Sequence, residues 1–183
     1  MDAAGAAMDE QWHIEGRIDP ALLRVRCGER TRWFALVGSD EVGESESQTW
    51  PDVRGACVGG HAGLLVARCE GGLLEQALRR RGGMPAPWAL GVLDEVLELL
   101  EAAPAPPPGL TRAAIRCFGV DRRGAVVLIP GRFGHRAERS DTAELGELLH
   151  LALTGVTWEE TGLPLRETAP DVPDTVSALV TDL

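Results

Sequence analysis

Few side chains in this sequence could carry out covalent or metal chemistry, and their spacing is unfavourable for it. The four histidines include no pair at the spacing of a metal site: His13, His61, His135 and His150. The four cysteines include no Cys-x-x-Cys pair: Cys27, Cys57, Cys69 and Cys117. No Gly-x-Ser-x-Gly motif or similar nucleophile arrangement occurs. We therefore predict no metal site and no cofactor, and we expect mostly buried, reduced thiols.

All 18 basic residues of the chain are arginines, because it contains no lysine, and it contains no asparagine either. Arginine in place of lysine, together with abundant alanine, glycine and proline, fits a GC-rich genome. Because such a bias alone can remove lysine, the absence carries weight only at a motif that requires a lysine or an asparagine.

The charge of the chain argues against two classes of partner. It has 18 basic and 28 acidic residues and a formal net charge of −10, whereas nucleic acids and anionic membranes require a basic face. No apolar run reaches the length of about 18 residues that would suggest a membrane span. The first residues, MDAAGAAMDE, lack the basic start and apolar stretch of a signal peptide. We expect a cytoplasmic protein that binds neither nucleic acid nor membrane.

The elements that would position these side chains change in type near residue 70. Before it, short runs with a period of two predict five strands in a small antiparallel sheet: Trp12–Ile18, Leu22–Cys27, Thr31–Val37, Val53–Val58 and Leu64–Cys69. Residues 1–11 are predicted to be a disordered tail, and the acidic segment Gly38–Thr49 to be a solvated loop. Residues 12–70 therefore form a β-rich part.

Residues 71–183 form a helical part, because the apolar period there becomes 3.6. Helices are predicted at Leu73–Arg81, from Pro87, from Asp141 and at Asp174–Leu183, and a β-hairpin at Arg116–Ile129. Asp141 is predicted as a structural helix cap, with Glu144 completing a capping box. We expect Arg79–Arg81 to be a solvated charge cluster rather than a phosphopeptide site. The fold class is α+β.

This order of elements resembles that of a protein kinase, and four segments carry the resemblance. Leu64–Leu74 is similar to the last strand of the kinase N-lobe and the hinge. Met84-Pro85 and the Leu/Val stripe after it resemble the long C-lobe helix. Cys117–Ile129 resembles the hairpin after the catalytic loop, and Ser140–Gly155 resembles the central buried helix. The resemblance implies two lobes, an N-lobe at 12–70 and a truncated C-lobe at 71–183, in a bacterial protein.

The residues that a kinase requires for phosphoryl transfer are missing from the corresponding positions. Between the first two strands, Ile18–Leu23 contains no glycine, and Phe34–Val37 runs through the site of the lysine. The catalytic loop corresponds to Thr111-Arg112-Ala113, the metal-binding asparagine to Cys117, and the metal-binding tripeptide to Pro130-Gly131-Arg132. The resemblance therefore implies a pseudokinase that is not an enzyme and has no catalytic residues.

For such a protein we expect a role as a protein-binding or regulatory scaffold, with another protein or a second copy as partner. The alternative is a small-molecule or nucleotide sensor that uses the remnant inter-lobe cleft under Glu70–Leu73, and an unrelated α+β fold is a third hypothesis. The candidate partner surface is an apolar stripe on the last helix with the segment before it: Trp158, Leu163, Leu165, Val176, Leu179, Val180 and Leu183. The stripe could instead fold back into its own lobe as core.

Overall fold

The structure of the chain is a computed structural model that describes residues 11–36, 53–66, 69–106, 108–135 and 140–182. The predicted tail, apart from Gln11, and the predicted acidic loop Gly38–Thr49 lie outside the described residues. The fold is mixed α+β, as expected, and the chain divides into two compact units, residues 1–68 and 69–183. A division into kinase-like lobes remains a prediction.

The first unit contains an antiparallel sheet. Its strands are β1 His13–Asp19, β2 Leu22–Cys27, β3 Arg30–Leu36, β4 Arg54–Val58 and β5 His61–Val66. They form one five-stranded sheet in the order β1-β2-β3-β5-β4, with every neighbouring pair antiparallel. The expected small antiparallel sheet is confirmed, although β5 begins at His61 rather than Leu64.

Alternation of side chains builds the core of this sheet. Successive residues of a strand point to opposite faces, so Leu23 and Val25 of β2 share a face with Phe34 of β3, which pairs with Leu23. All three side chains are buried in one apolar cluster. Gly63 of β5 permits the close approach of β3, because a Cβ there would overlap the Ala35 carbonyl and the Phe34 ring.

The second unit is mainly helical. Its elements are β6 Gly72–Leu73, α1 Leu74–Arg81, α2 Ala86–Ala102, β7 Leu110–Thr111, β8 Phe118–Val120, β9 Val126–Leu128, β10 Gly134–His135, α3 Asp141–Thr154, α4 Trp158–Thr161, α5 Leu165–Thr168 and α6 Asp174–Asp182. The strands form two small antiparallel sheets, β6-β8-β9 and β10-β7. The predicted hairpin is therefore present as β8 and β9.

Helix α3 packs against all five of the other α-helices described in the second unit. It contacts α1, α2, α4, α5 and α6. Its Leu148 and Leu149 are fully buried, as the apolar stripe predicted. On α2, Leu93 and Val96 are buried as well, whereas Val92 is only half-buried. Within the described ranges, no helix combines the length and apolar character needed to cross a membrane.

Candidate functional site

The N-terminus of α3 is capped by Ser140, and the predicted role of Asp141 as the structural cap is wrong by one position. The Ser140 hydroxyl accepts a hydrogen bond from the Ala143 N–H at 3.1 Å, and Ser140 has the extended backbone of a cap residue. Asp141 is the first helical residue instead. There its carboxylate lies at the positive end of the helix dipole, which still favours it.

The other end of α3 holds the loop that leads into α4. His150 is buried, and its Nδ1 lies 3.1 Å from the Val156 carbonyl oxygen. The Thr154 hydroxyl lies 2.8 Å from the carbonyl oxygens of both His150 and Val156. The His150 ring packs edge-on against Trp158, with 5.5 Å between the ring centroids. These contacts fix the position of Trp158 at the start of α4.

Glu160 ties α4 to α1. Arg79 Nη1 donates hydrogen bonds to both carboxylate oxygens of Glu160, at 2.8 and 2.7 Å. The backbone N–H and the hydroxyl of Thr157 donate to Glu160 Oε2, both at 2.8 Å, which completes a capping box. The hydrogen bonds from Arg79, and then those from Thr157, lower the pKa of Glu160 to about 2.

The three arginines at the end of α1, which were predicted to be a solvated charge cluster, have partners within the second unit, and Arg80 and Arg81 are exposed. Arg79 also donates to Glu75 at 3.0 Å, in addition to its bonds to Glu160. Arg80 donates to the carbonyl oxygens of Gln76 and Gly71, at 3.1 Å in each case. The Arg81 guanidinium lies over the Trp88 ring, 4.8 Å from its centroid.

An acidic pocket lies beside α4. It has a volume of about 410 Å³ and is lined by Glu75, Ala114, Ile115, Arg116, Glu144, Glu147, Thr157 and Glu159. The lining includes four carboxylates and a single guanidinium. One of them, Glu147, accepts a hydrogen bond from the Trp158 N–H at 3.0 Å. The start of α4 is thus held by Arg79 of α1, Glu147 of α3 and the ring of His150.

Three residues of the predicted partner surface are exposed in the structure. Trp158 is 42% exposed, Leu163 is 45% exposed and Leu179 is 38% exposed. Val180 is half-buried, and Leu183 lies outside the described residues. Single exposed apolar side chains are normal on a protein surface, so these three remain a predicted partner surface.

Two residues of the predicted partner surface are core instead. Leu165 is 3% exposed and Val176 is 9% exposed, so neither can form an interface without unfolding. The cause is that α6 contacts α3 and α5, and α5 also contacts α3, which covers the inner side of this segment. The stripe on α6 is therefore divided, because Val176 faces the unit and Leu179 faces solvent.

In the first unit, the turn that the kinase resemblance aligns with the phosphate loop is closed by hydrogen bonds within the unit. Asp19 Oδ1 accepts a hydrogen bond from the Ala21 N–H at 2.8 Å, and the Ala21 carbonyl accepts from the Leu36 N–H at 2.9 Å. At the expected lysine site, Phe34 and Ala35 are fully buried, while Val37 lies outside the described residues. The N–H and carbonyl groups of Ala21 thus already have hydrogen-bond partners.

In the second unit, the segment that the kinase resemblance aligns with the catalytic loop is closed by packing. Arg112 is 3% exposed, and its Nε donates to the Pro104 carbonyl at 3.2 Å. Its guanidinium lies 4.6 Å from the centroid of the Phe133 ring. Thr111 is also buried, and its hydroxyl accepts from the Ala113 N–H at 3.0 Å. The one charged group of this segment is therefore used within the fold.

Two of the four thiols are buried, and all four are free. Burial raises the pKa of Cys117, at the position of the metal-binding asparagine, to about 12. Burial, and the charge of Asp121, raise the pKa of Cys69 to about 12 as well. Both thiols are therefore protonated at neutral pH, which makes them poor metal ligands and poor nucleophiles. Cys57 is exposed, contrary to the expectation of buried thiols.

A metal centre is not apparent in the described part of the chain. None of its side-chain clusters brings together three or more His, Cys, Asp or Glu residues that could hold an ion.

Two comparisons with known proteins find no match. No family model matches the chain, and no curated protein matches it. Its function therefore has to be argued from its residues and their contacts.

Sequence analysis missed the contacts that anchor α4. The spacing of Thr157 and Glu160 is that of a capping box, so this signal could have located the helix start. The ion pair of Glu160 with Arg79 has no such signal, because the two residues are 81 positions apart. The buried environment of Arg112 likewise depends on Phe133, which comes from a different part of the chain.

Proposed function

We propose that this chain is a catalytically inactive, protein kinase-like protein that acts by binding another protein. The order of the described elements supports the resemblance: a five-stranded antiparallel sheet, the Gly71-Gly72 segment, a short helix, a long helix, a hairpin and a capped helix. A fold alone does not define an activity, so the proposal depends on the residues at the kinase positions.

The observation that carries the proposal is the closed catalytic-loop segment. Phosphoryl transfer needs exposed groups that hold a metal-bound triphosphate and orient a hydroxyl. Arg112 contacts a ring and a backbone carbonyl instead, and Cys117 is a buried, protonated thiol. Side chains committed to packing in this way cannot bind a phosphate or a metal ion without a rearrangement of the core.

The alternative of a nucleotide sensor has weaker support, because the hinge amides are already used. The Gly71 N–H donates to the Val120 carbonyl at 2.8 Å, and the Gly72 N–H donates to the Cys69 carbonyl at 3.0 Å. The Gly71 carbonyl accepts from Arg80 at 3.1 Å. An adenine ring that paired with these groups would have to break hydrogen bonds that the second unit already makes.

Exposed apolar side chains on the short C-terminal helices supply the proposed binding surface. The Trp158 ring packs edge-on against His150, its backbone N–H donates to Glu147, and the residue nevertheless remains 42% exposed. An aromatic side chain that is held in one orientation loses little entropy on binding, which is typical of residues that dominate an interface. We therefore propose that Trp158, Leu163 and Leu179 contact the partner, while Leu165 and Val176 support them from below.

Surface variants test this proposal. The full chain is used to isolate its partner from the native host, and binding is then compared for Trp158→Glu, Leu179→Glu and the control Ile14→Glu. Ile14 is a similarly exposed apolar residue, 44% exposed, in the first unit. We expect the two test variants to remain folded and lose the partner, and the control to retain it. Equal binding by all three would refute the proposed surface.

A further inference from the structure

A shallow groove lined mostly by apolar residues lies on the side of α2 that carries Leu90, Asp94 and Leu97, which we call the outer face, and it borders the buried Leu93. It has a volume of about 400 Å³ and is lined by Leu90, Gly91, Leu93, Asp94 and Leu97. Leu97 is 39% exposed although it belongs to the apolar stripe of the helix. The buried side of α2, which includes Ala89 and Val96, is already covered by α3 and β9. The groove is therefore additional apolar surface.

Acidic side chains flank this groove. Asp94, Glu98 and Glu101 recur at spacings of three and four residues and are all exposed, so they share the outer side of the helix. Their carboxylates make no hydrogen bond or ion pair with the described residues. The helix itself carries no basic residue. The face thus combines an apolar strip with unneutralised negative charge.

Gly91 gives this face its concave shape at a cost to the helix. Glycine in a helix interior is destabilising relative to alanine. No described atom lies within 4 Å of the position where its Cβ would be, so no contact in the described part of the chain requires a glycine there. A glycine on the outside of a helix does, however, allow another backbone to approach closely, because no side chain separates the two.

We propose that the outer face of α2 binds a basic amphipathic helix of a partner protein. This face is separate from Trp158, Leu163 and Leu179, so the inference goes beyond the proposed function and names the class of partner that a second surface would bind. The apolar stripe of such a helix would fill the groove over Gly91, and its arginines or lysines would pair with Asp94, Glu98 and Glu101. A second copy of the chain is a poorer fit, because the same acidic face would meet itself.

The test uses the full chain and a designed peptide of about the length of α2. The peptide carries leucines on one helical stripe and lysines and arginines on the other positions, and its control has glutamate at every basic position. Binding is measured by fluorescence anisotropy at several salt concentrations. We expect the basic peptide to bind and to weaken as salt rises, because the contacting charges are solvent-exposed. The acidic peptide should not bind.

Two sets of variants locate the site. Gly91→Gln places a good helix former in the groove, so we expect an intact fold with peptide affinity lowered by about tenfold or more. The triple variant Asp94→Arg, Glu98→Arg, Glu101→Arg should also lower affinity by at least about tenfold. Its matched control has the same change in net charge at exposed acids of the second unit: Glu167→Arg, Asp171→Arg and Asp182→Arg.

Three outcomes would overturn the inference. The first is that the basic peptide does not bind. The second is that the matched control loses as much peptide affinity as the triple variant, and the third is that Gly91→Gln binds the peptide as tightly as the parent. Sedimentation of the unliganded chain supplies a further one, because a dimer that Gly91→Gln dissolves would make a second copy the occupant. If peptide binding maps to α2 but the chain transfers phosphate, the proposed function fails and this inference stands. If the basic peptide does not bind and the chain transfers no phosphate, this inference fails and the proposed function stands.

Discussion

The segment Leu110–Cys117 and the outer face of α2 belong to the same unit, yet they differ in whether their charged groups are buried with partners or exposed without any in the described part of the chain. In the segment, Arg112 is buried and has a carbonyl and an aromatic ring as partners. On the outer face, Asp94 and Glu98 are exposed and their carboxylates have no partner among the described residues. The positions that resemble a catalytic loop are thus built for packing, whereas groups available to a ligand lie on helix exteriors.

The largest effect on stability should come from the removal of a side chain that is buried in the second unit. Leu148→Ala removes a fully buried side chain of α3 and leaves a cavity, so we expect a loss of about 2–5 kcal/mol of unfolding free energy. The control Leu97→Ala, on the exposed side of α2, should change it by less than about 0.5 kcal/mol. Urea denaturation measures both. Similar values for the two variants would mean that α3 is not the core helix.

A second variant tests whether Arg112 is structural. Arg112→Gln removes the contact with the Phe133 ring and weakens the bond to the Pro104 carbonyl, so we expect a loss of about 2 kcal/mol. Arg123→Gln, in the exposed turn between β8 and β9, should stay within about 0.5 kcal/mol of the parent. If Arg112→Gln is as stable as this control, the segment is not closed by packing as described.

Replacement of two glycines by alanine should change stability by smaller amounts and in opposite directions. Gly91→Ala should stabilise the chain by about 0.5–1 kcal/mol, because alanine favours the helix and nothing obstructs its methyl group. Gly82→Ala should destabilise it, because Gly82 ends α1 with a φ of 72°, which favours glycine. Thermal melts in the absence of any partner measure both. Destabilisation by Gly91→Ala would indicate that the outer face of α2 is packed after all.

The smallest effect on stability should come from loss of the exposed contacts of Glu160, and this effect should depend on pH. The folded pKa of Glu160, about 2, lies below its ordinary value of 4.5, so its contribution is present above pH 4.5 and is lost as the pH falls toward 2. Glu160→Gln should therefore melt slightly below the parent at pH 6 and together with it at pH 2. A constant difference across this range would show that the charge of Glu160 is not involved.

The alternation of apolar residues predicted the sheet and the helices well, because Leu23, Val25 and Leu148 are buried for reasons that a local pattern contains. Local ambiguity explains the wrong cap, since Ser140 and Asp141 are adjacent and both are good cap residues. Long-range contacts explain the other errors. Leu165 and Val176 are core because α5 and α6 pack on α3, which no pattern within their own segment indicates.

The central claim, that the chain does not transfer phosphate, is tested most directly with nucleotide. The melting temperature of the full chain is measured with magnesium alone, with ATP alone and with both, and incorporation of radiolabelled phosphate is followed in the same samples. We predict less than about a degree of change in every sample and no labelled protein, because a ligand that does not bind the native state does not shift its unfolding. A shift of several degrees that requires both magnesium and ATP, or any labelled protein, would contradict the account.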